Sequence, residues 1–285
     1  MEAIYSVIDT LLPFELFHYA FMKNALLALL LLTPLLALLG TMAVNKHMAF
    51  FSDALGHSAL AGVGIGVLLG ISNVTLILVV FGICWAVLIT RINRTGGTSS
   101  DTTISVFSSA GIALGLLILS GSGKYGKYSS ILVGDILAIT PNDILFLAIA
   151  LAVGIAVWVL LYNRLLLTAI NPQLAQSRGI PTKAIEYGFV ILVAVAVMLS
   201  IRWVGVLLIN ALLILPAAAA RNIARSAAQH ALLSVLISVV SGVAGLCAAV
   251  PLGTSVGAAV VLCAAVCYAV SLLLARLLKV RLQAS

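Results

Sequence analysis

The chain has 285 residues, of which 63% are hydrophobic and 8% charged, with a formal net charge of +7. No soluble core hides that much apolar surface, whereas a bilayer solvates it, so the composition excludes an ordinary globular protein and predicts an all-α, polytopic membrane bundle. The positive charge does not point to nucleic acid, because the basic residues are scattered singly at helix ends, where membrane topology accounts for them.

Residues 1–23 read as an external interfacial segment. Glu2, Asp9 and Glu15 precede the first apolar run, without a basic n-region or a small-residue cleavage site, so no removable signal peptide is expected. Apolar runs of about 20 residues, set against polar breaks, then predict spans at 24–44, 55–71, 75–90, 103–120, 144–161, 187–201, 203–220, 231–250 and 254–275. That makes about nine, within a range of about eight to ten. The sixth and seventh are divided only by Arg202 and Trp203, where a broken helix would serve equally well. Together the spans form one transmembrane domain over 24–276, followed by a cytoplasmic tail, 277–285.

The orientation follows from the basic residues. With the N-terminus outside and the C-terminus inside, Lys46, Arg91, Arg94, Arg164, Arg178, Lys183, Arg221, Arg225, Arg276, Lys279 and Arg281 are cytoplasmic. Lys23, Lys124, Lys127 and Arg202 are external. The opposite orientation inverts that excess.

Within the spans, Gly62, Gly66 and Gly70 repeat at four-residue spacing, as do Gly111 and Gly115, which predicts close helix approach. Pro34 and Pro216 are expected to kink or break their helices. The segment from Gly121 to Lys127 imitates the start of a phosphate-binding loop. Tyr128 stands where Ser or Thr is needed, and the segment joins two spans, so it reads as an external loop and not as a nucleotide site. Cys84, Cys247, Cys263 and Cys267 read as small hydrophobes, and His18, His47 and His230 as interfacial residues without a nearby acid.

The informative pair is Asp53 and His57. A residue and its fourth successor share a helix face, so a carboxylate and an imidazole can converge on one cation, and ionisable groups at membrane depth usually mark a pathway. The competing reading is that Ser52 or Asp53 merely caps the helix. Asp101, a second carboxylate at the same depth, favours the ion-binding reading as a third ligand, since a borderline divalent ion suits mixed N and O donors.

The stretch Ser52-Asp53-Ala54-Leu55-Gly56-His57-Ser58-Ala59-Leu60-Ala61-Gly62 resembles the SDxxxHAxLxG signature of permease subunits of metal-ion ATP-binding-cassette importers, the zinc, manganese and iron uptake family. Three further stretches resemble that family in order: Asp101 to Ile104 with Ala113 to Leu116; Val133 to Asp143, similar to FGDxLxVTxxD; and Val204 to Ala218, similar to VGxLLxxALLxxPAA. The likeness covers residues 24–275.

The resemblance implies a multi-pass permease of the bacterial plasma membrane, not itself an enzyme, working as a homodimer with a second copy of itself. It implies no permanently bound cofactor, a translocated divalent metal ion delivered by an external metal-binding protein, and ATP used by two cytoplasmic ATPase subunits. Asp53 and His57 inherit the metal-contact role, with Asp101 beside them. Asn171 to Ile180 resembles the family's cytoplasmic DxxxAxxxGI loop, so Gln173, Ala175 and Gly179 are the expected ATPase-coupling positions. Asn171 stands where an acid is usual, and the stretch before Pro251 lacks the Asp often found there. The alternative is a single-chain secondary transporter that exchanges metal for protons through the same pair.

Overall fold

The computed structural model describes residues 5–6, 18–71, 73–95, 97, 99–128 and 134–283, with side chains as far as Leu277. Glu2, Asp9, Glu15 and Val133 lie outside the described residues, as do the side chains of Lys279 and Arg281. Among the described residues the elements are α1 (Ala20–Asn45), α2 (Phe51–Leu68), α3 (Val74–Thr95), α4 (Ser100–Gly121), the single turn α5 (Tyr125–Tyr128), a 3-10 turn Ile136–Ala138, α6 (Pro141–Ile170), the short α7 (Pro172–Ser177), α8 (Thr182–Ile223), α9 (Ala227–Leu252) and α10 (Val256–Gln283). No strand occurs among them. Eight helices are long and apolar enough to cross a membrane.

That count lies inside the expected range, and the difference from nine has one cause. The predicted spans 187–201 and 203–220 are both inside α8, whose 42 residues would stretch about 63 Å at about 1.5 Å per residue, twice the roughly 30 Å of a hydrocarbon core. The helix is broken, but at Gly205 (φ 77°, ψ 163°), three residues beyond Arg202. This backbone region is open essentially to glycine alone. Pro34 and Pro216 lie within continuous helical runs.

The chain divides into two compact units, each assembled from separate stretches of sequence. The unit made of residues 42–134 and 154–210 holds α2, α3 and α4. Here α2 is the central helix, packed on α4 and α3. The glycines explain the closeness. A Cβ on Gly111 would stand 2.6 Å from that of Ser58, and one on Gly115 would stand 2.7 Å from the Ala61 backbone nitrogen. Gly62 and Gly66 likewise take Phe81 and Ile77 of α3 against bare backbone. The third glycine of that series is different: Gly70 lies beyond the end of α2 at φ +68° and faces open space, so it serves a turn and not packing. Gly134 closes against the α8 break, its missing Cβ only 2.2 Å from the Gly205 nitrogen.

The other unit comprises residues 1–41, 135–153 and 211–285. The stretch before α6 is a run of local caps. Asp135 accepts from Leu137 N at 3.0 Å, and Thr140 and Asp143 form a reciprocal capping box, with Thr140 N donating to Asp143 Oδ2 at 3.0 Å. The spacing of Asp135, Thr140 and Asp143 is thereby accounted for by chain entry into α6. In the same unit α9 packs on α10 across Gly245, where a Cβ would meet the Val260 backbone at 2.4 Å.

Candidate functional site

Asp53 and His57 lie on the first two turns of α2. Their four-residue spacing puts His57 Nε2 3.3 Å from Asp53 Oδ1, and both side chains are about half-buried, with 42% and 38% of their surface accessible. The capping reading fails. The N-cap position is Phe50, and among the described residues no side chain caps this helix and Ser52 Oγ is buried without a hydrogen bond. Asp53 Oδ1 instead accepts a 2.8 Å hydrogen bond from Asn210 Nδ2 on α8.

Asn210 is the residue that sequence reasoning passed over. It reaches Asp53 because the Gly205 break lies five residues upstream, and because Gly56, one residue before His57, leaves room for Val206. A Cβ on Gly56 would stand 2.4 Å from Val206 Cγ1. The amide's own oxygen, Asn210 Oδ1, is buried and accepts no hydrogen bond from the described residues.

The structure does not bring Asp101 to this pair. Asp101 is exposed in the first turn of α4, whose N-cap is Ser99, accepting from Thr102 N at 3.2 Å. No group of three or more His, Cys, Asp or Glu side chains among the described residues is placed to hold a metal ion.

The expected coupling segment forms a compact surface device. Asn171, replacing the usual acid, still caps α7, its Oδ1 accepting from Leu174 N at 2.9 Å. Ala175 is fully buried beneath the helix, while Gln173 and Leu174 are exposed. At the end, Gly179 N donates to Gln176 O at 2.9 Å and Ile180 N to Ala175 O at 3.0 Å, the paired bonds of a Schellman turn. Gly179 adopts φ +71° there, with nothing within 4 Å of where a Cβ would be.

The loops after α1, α3 and α6 meet at one end of this unit, around a polar cleft of about 340 Å³ that includes Gln176. Arg94 Nη1 and Glu186 Oε2 form a 2.5 Å ion pair in it. Burial holds the nearby Lys46 ammonium below its usual range, with Glu186 opposing that shift and Arg94 adding to it.

The long apolar helices, one of them carrying a carboxylate–imidazole pair, define a polytopic membrane protein. Comparison with known proteins is more specific. The ABC 3 transport family matches residues 18–275, and the chain belongs to that family. It is 33% identical over 202 residues to the high-affinity zinc uptake system membrane protein ZnuB of Haemophilus influenzae, covering 70% of this chain and 77% of that one. It is 32% identical over 204 residues to the manganese import system permease protein ScaB of Streptococcus parasanguinis, covering 71% and 72%. Among solved structures, PsaBC from Streptococcus pneumoniae in complex with Fab superposes with a TM-score of 0.79 at 27% identity, over 95% of each chain. The chain is thus a multi-span permease subunit of an ABC importer in the bacterial plasma membrane, a transport subunit and not an enzyme. The single-chain secondary transporter falls away with that assignment.

Proposed function

We propose that this permease moves a divalent transition-metal ion, zinc, manganese or iron, inward across the membrane, with Asp53 and His57 contacting the ion. The observation that carries the reading is the convergence of these two side chains on α2, 3.3 Å apart and half-buried in a span. The relatives named for zinc and manganese uptake support the choice of cargo. A carboxylate oxygen and a neutral imidazole nitrogen form a donor set for a borderline divalent ion. Asp101 stands apart and is left out of the contact set.

The working unit is two copies of this chain with two cytoplasmic ATPase subunits that supply the energy, fed from outside by a metal-binding protein. The N-terminus is external. The α7 end is cytoplasmic, a reading supported by the gathering there of Lys46, Arg94, Arg178 and Lys183 around loops that follow the first, third and fifth long helices. The α7 segment docks on the ATPase, with Gln173 in contact, Ala175 as its buried foot and Gly179 closing its turn.

Reconstituted complex is tested for metal-stimulated ATP hydrolysis across zinc, manganese and iron. One or more ions stimulate the wild type, and Asp53→Ala or His57→Ala abolishes the stimulation while leaving the chain folded and associated. Stimulation by metal at wild-type level in both variants overturns the assignment of the pair.

A further inference from the structure

We propose that Asn210 is a third side chain of the cation path, its amide oxygen joining Asp53 and His57 on the translocated ion. This rests on the reading of Asp53 and His57 as the ion-contact pair. The hydrogen bond from Asn210 Nδ2 to Asp53 Oδ1, 2.8 Å long, fixes which way the amide faces. Turned over, the amide oxygen would oppose a carboxylate oxygen at the same distance, which is repulsive. The oxygen therefore points the other way, and there it is buried and accepts nothing from the described residues. Buried acceptors without partners are rare and costly in native proteins, and each calls for an explanation.

The surrounding sequence gives no structural reason for an amide. From Val204 to Pro216, Asn210 is the one polar side chain in an apolar run, so a leucine would suit the helix better. A polar group retained at membrane depth marks a pathway or a partner. The partner here is Asp53.

The chemistry joins the two facts. With its N–H toward Asp53, the amide partly neutralises the carboxylate. The terminal torsion of asparagine is broad and roughly two-fold, so the amide can turn over at small cost. Once a cation sits against Asp53, the repulsion that excluded the turned amide becomes attraction, and the oxygen becomes a ligand. The resulting set is carboxylate oxygen, imidazole nitrogen and amide oxygen. It fits divalent ions from manganese to zinc and disfavours soft monovalent copper, which prefers sulfur.

Two substitutions separate this role from simple positioning. Asn210→Asp keeps an oxygen donor and removes the N–H; Asn210→Leu keeps the volume and removes both. Uptake of manganese(II) and of zinc(II), each supplied as the chloride, is measured in cells whose importer carries each variant, at matched membrane abundance. An oxygen ligand predicts that Asn210→Asp retains uptake of whichever ion the wild type carries, while Asn210→Leu loses about 10–100-fold. Equal loss in both variants shows that the N–H on Asp53 is the whole role and overturns the proposal, as does normal uptake by Asn210→Leu. If the leucine chain fails to insert, Asn210→Ala takes its place, deleting the oxygen without added bulk. Asp53→Ala in the same cells separates the two levels: its normal uptake brings down the ion-contact pair itself, whereas its loss beside a normal Asn210→Leu brings down only Asn210.

Discussion

The two helices α2 and α6 are both long and apolar enough to cross a bilayer, yet they invert the rule learned from soluble proteins. The least apolar of the eight candidate spans, α2, has 72% of its span buried, whereas the most apolar, α6, has only 22% buried. In lipid there is no hydrophobic gain from taking leucine out of the solvent, so apolar helices stay on the outside. Small and polar side chains go to the centre, where close packing and hydrogen bonds can reward them. The inner helix carries Asp53, His57, Ser52 and Ser58 on a frame of glycine and alanine. The outer one presents Leu160, 76% exposed, to the surroundings. The carboxylate–imidazole pair lies on the most buried of the eight helices.

The largest effect expected from this contrast is steric. Gly115→Leu forces a side chain into the backbone of Leu60 and Ala61, with Cβ contacts of 2.6–2.7 Å before the rest of the side chain is added. The α2–α4 pair must separate, at a cost above about 3 kcal/mol, and no folded protein is recovered after detergent extraction. Leu160→Ala on α6 gives wild-type yield. Size-exclusion chromatography of the two variants side by side checks both expectations. A monodisperse Gly115→Leu would break the comparison.

Next comes the backbone of α8. Gly205→Ala imposes a Cβ on φ 77°, ψ 163°, a region that costs about 1–3 kcal/mol for other residues. The break carries Val206 and Asn210 to α2, so the strain should show as uptake lost together with a lowered unfolding temperature. Uptake and melting both unchanged would mean that the break does not hold the site.

How much of this was legible in the sequence depended on how local the cause was. Asp53 and His57 are four residues apart, and helix geometry alone brings them together. Asn210 is 157 positions from Asp53, so only the tertiary fold joins them; its one local signal was a lone amide in an apolar run. The break in α8 was expected at Arg202 and Trp203 because charge interrupts hydropathy there. It falls at Gly205, whose φ of 77° only glycine readily adopts, and the Gly134 backbone, far away in the chain, lies close against it; composition records neither. Asp101 was grouped with the pair from its place at the start of a neighbouring span, but it does not form a three-residue metal-binding group with the pair among the described residues, and sequence spacing between separate helices does not report that. The Asn171 departure is harmless to helix formation, since an amide oxygen caps as a carboxylate does.

A smaller effect is expected at the surface device on α7. Gly179→Val meets no neighbour within 4 Å, so its cost is the left-handed backbone alone, about 1–2 kcal/mol confined to the Schellman turn. The spans are untouched, and the chain should insert and melt almost as the wild type does. Co-purification with the ATPase subunits, and metal-stimulated ATP hydrolysis, should fall. Both at wild-type level would remove α7 from the coupling interface and leave the inner-helix site without its proposed link to ATP.

The smallest effect belongs to the ion pair between Arg94, in the last turn of α3, and Glu186, near the start of α8. Its geometry is tight at 2.5 Å, but the two side chains keep 29% and 27% of their surface accessible. Solvent and salt screen such a pair, so the coupling free energy should be about 0.2–1 kcal/mol. A double-mutant cycle on Arg94→Met and Glu186→Gln, read by thermal unfolding, measures it directly. The nearby Lys46 makes the sign informative. Its ammonium is opposed by burial and by Arg94 and favoured by Glu186, so Arg94→Met relieves a repulsion while losing an attraction. Arg94→Met alone should therefore cost less than Glu186→Gln alone, which leaves two cations facing each other. Equal costs in the two single variants would show that Lys46 is not electrostatically part of the cluster.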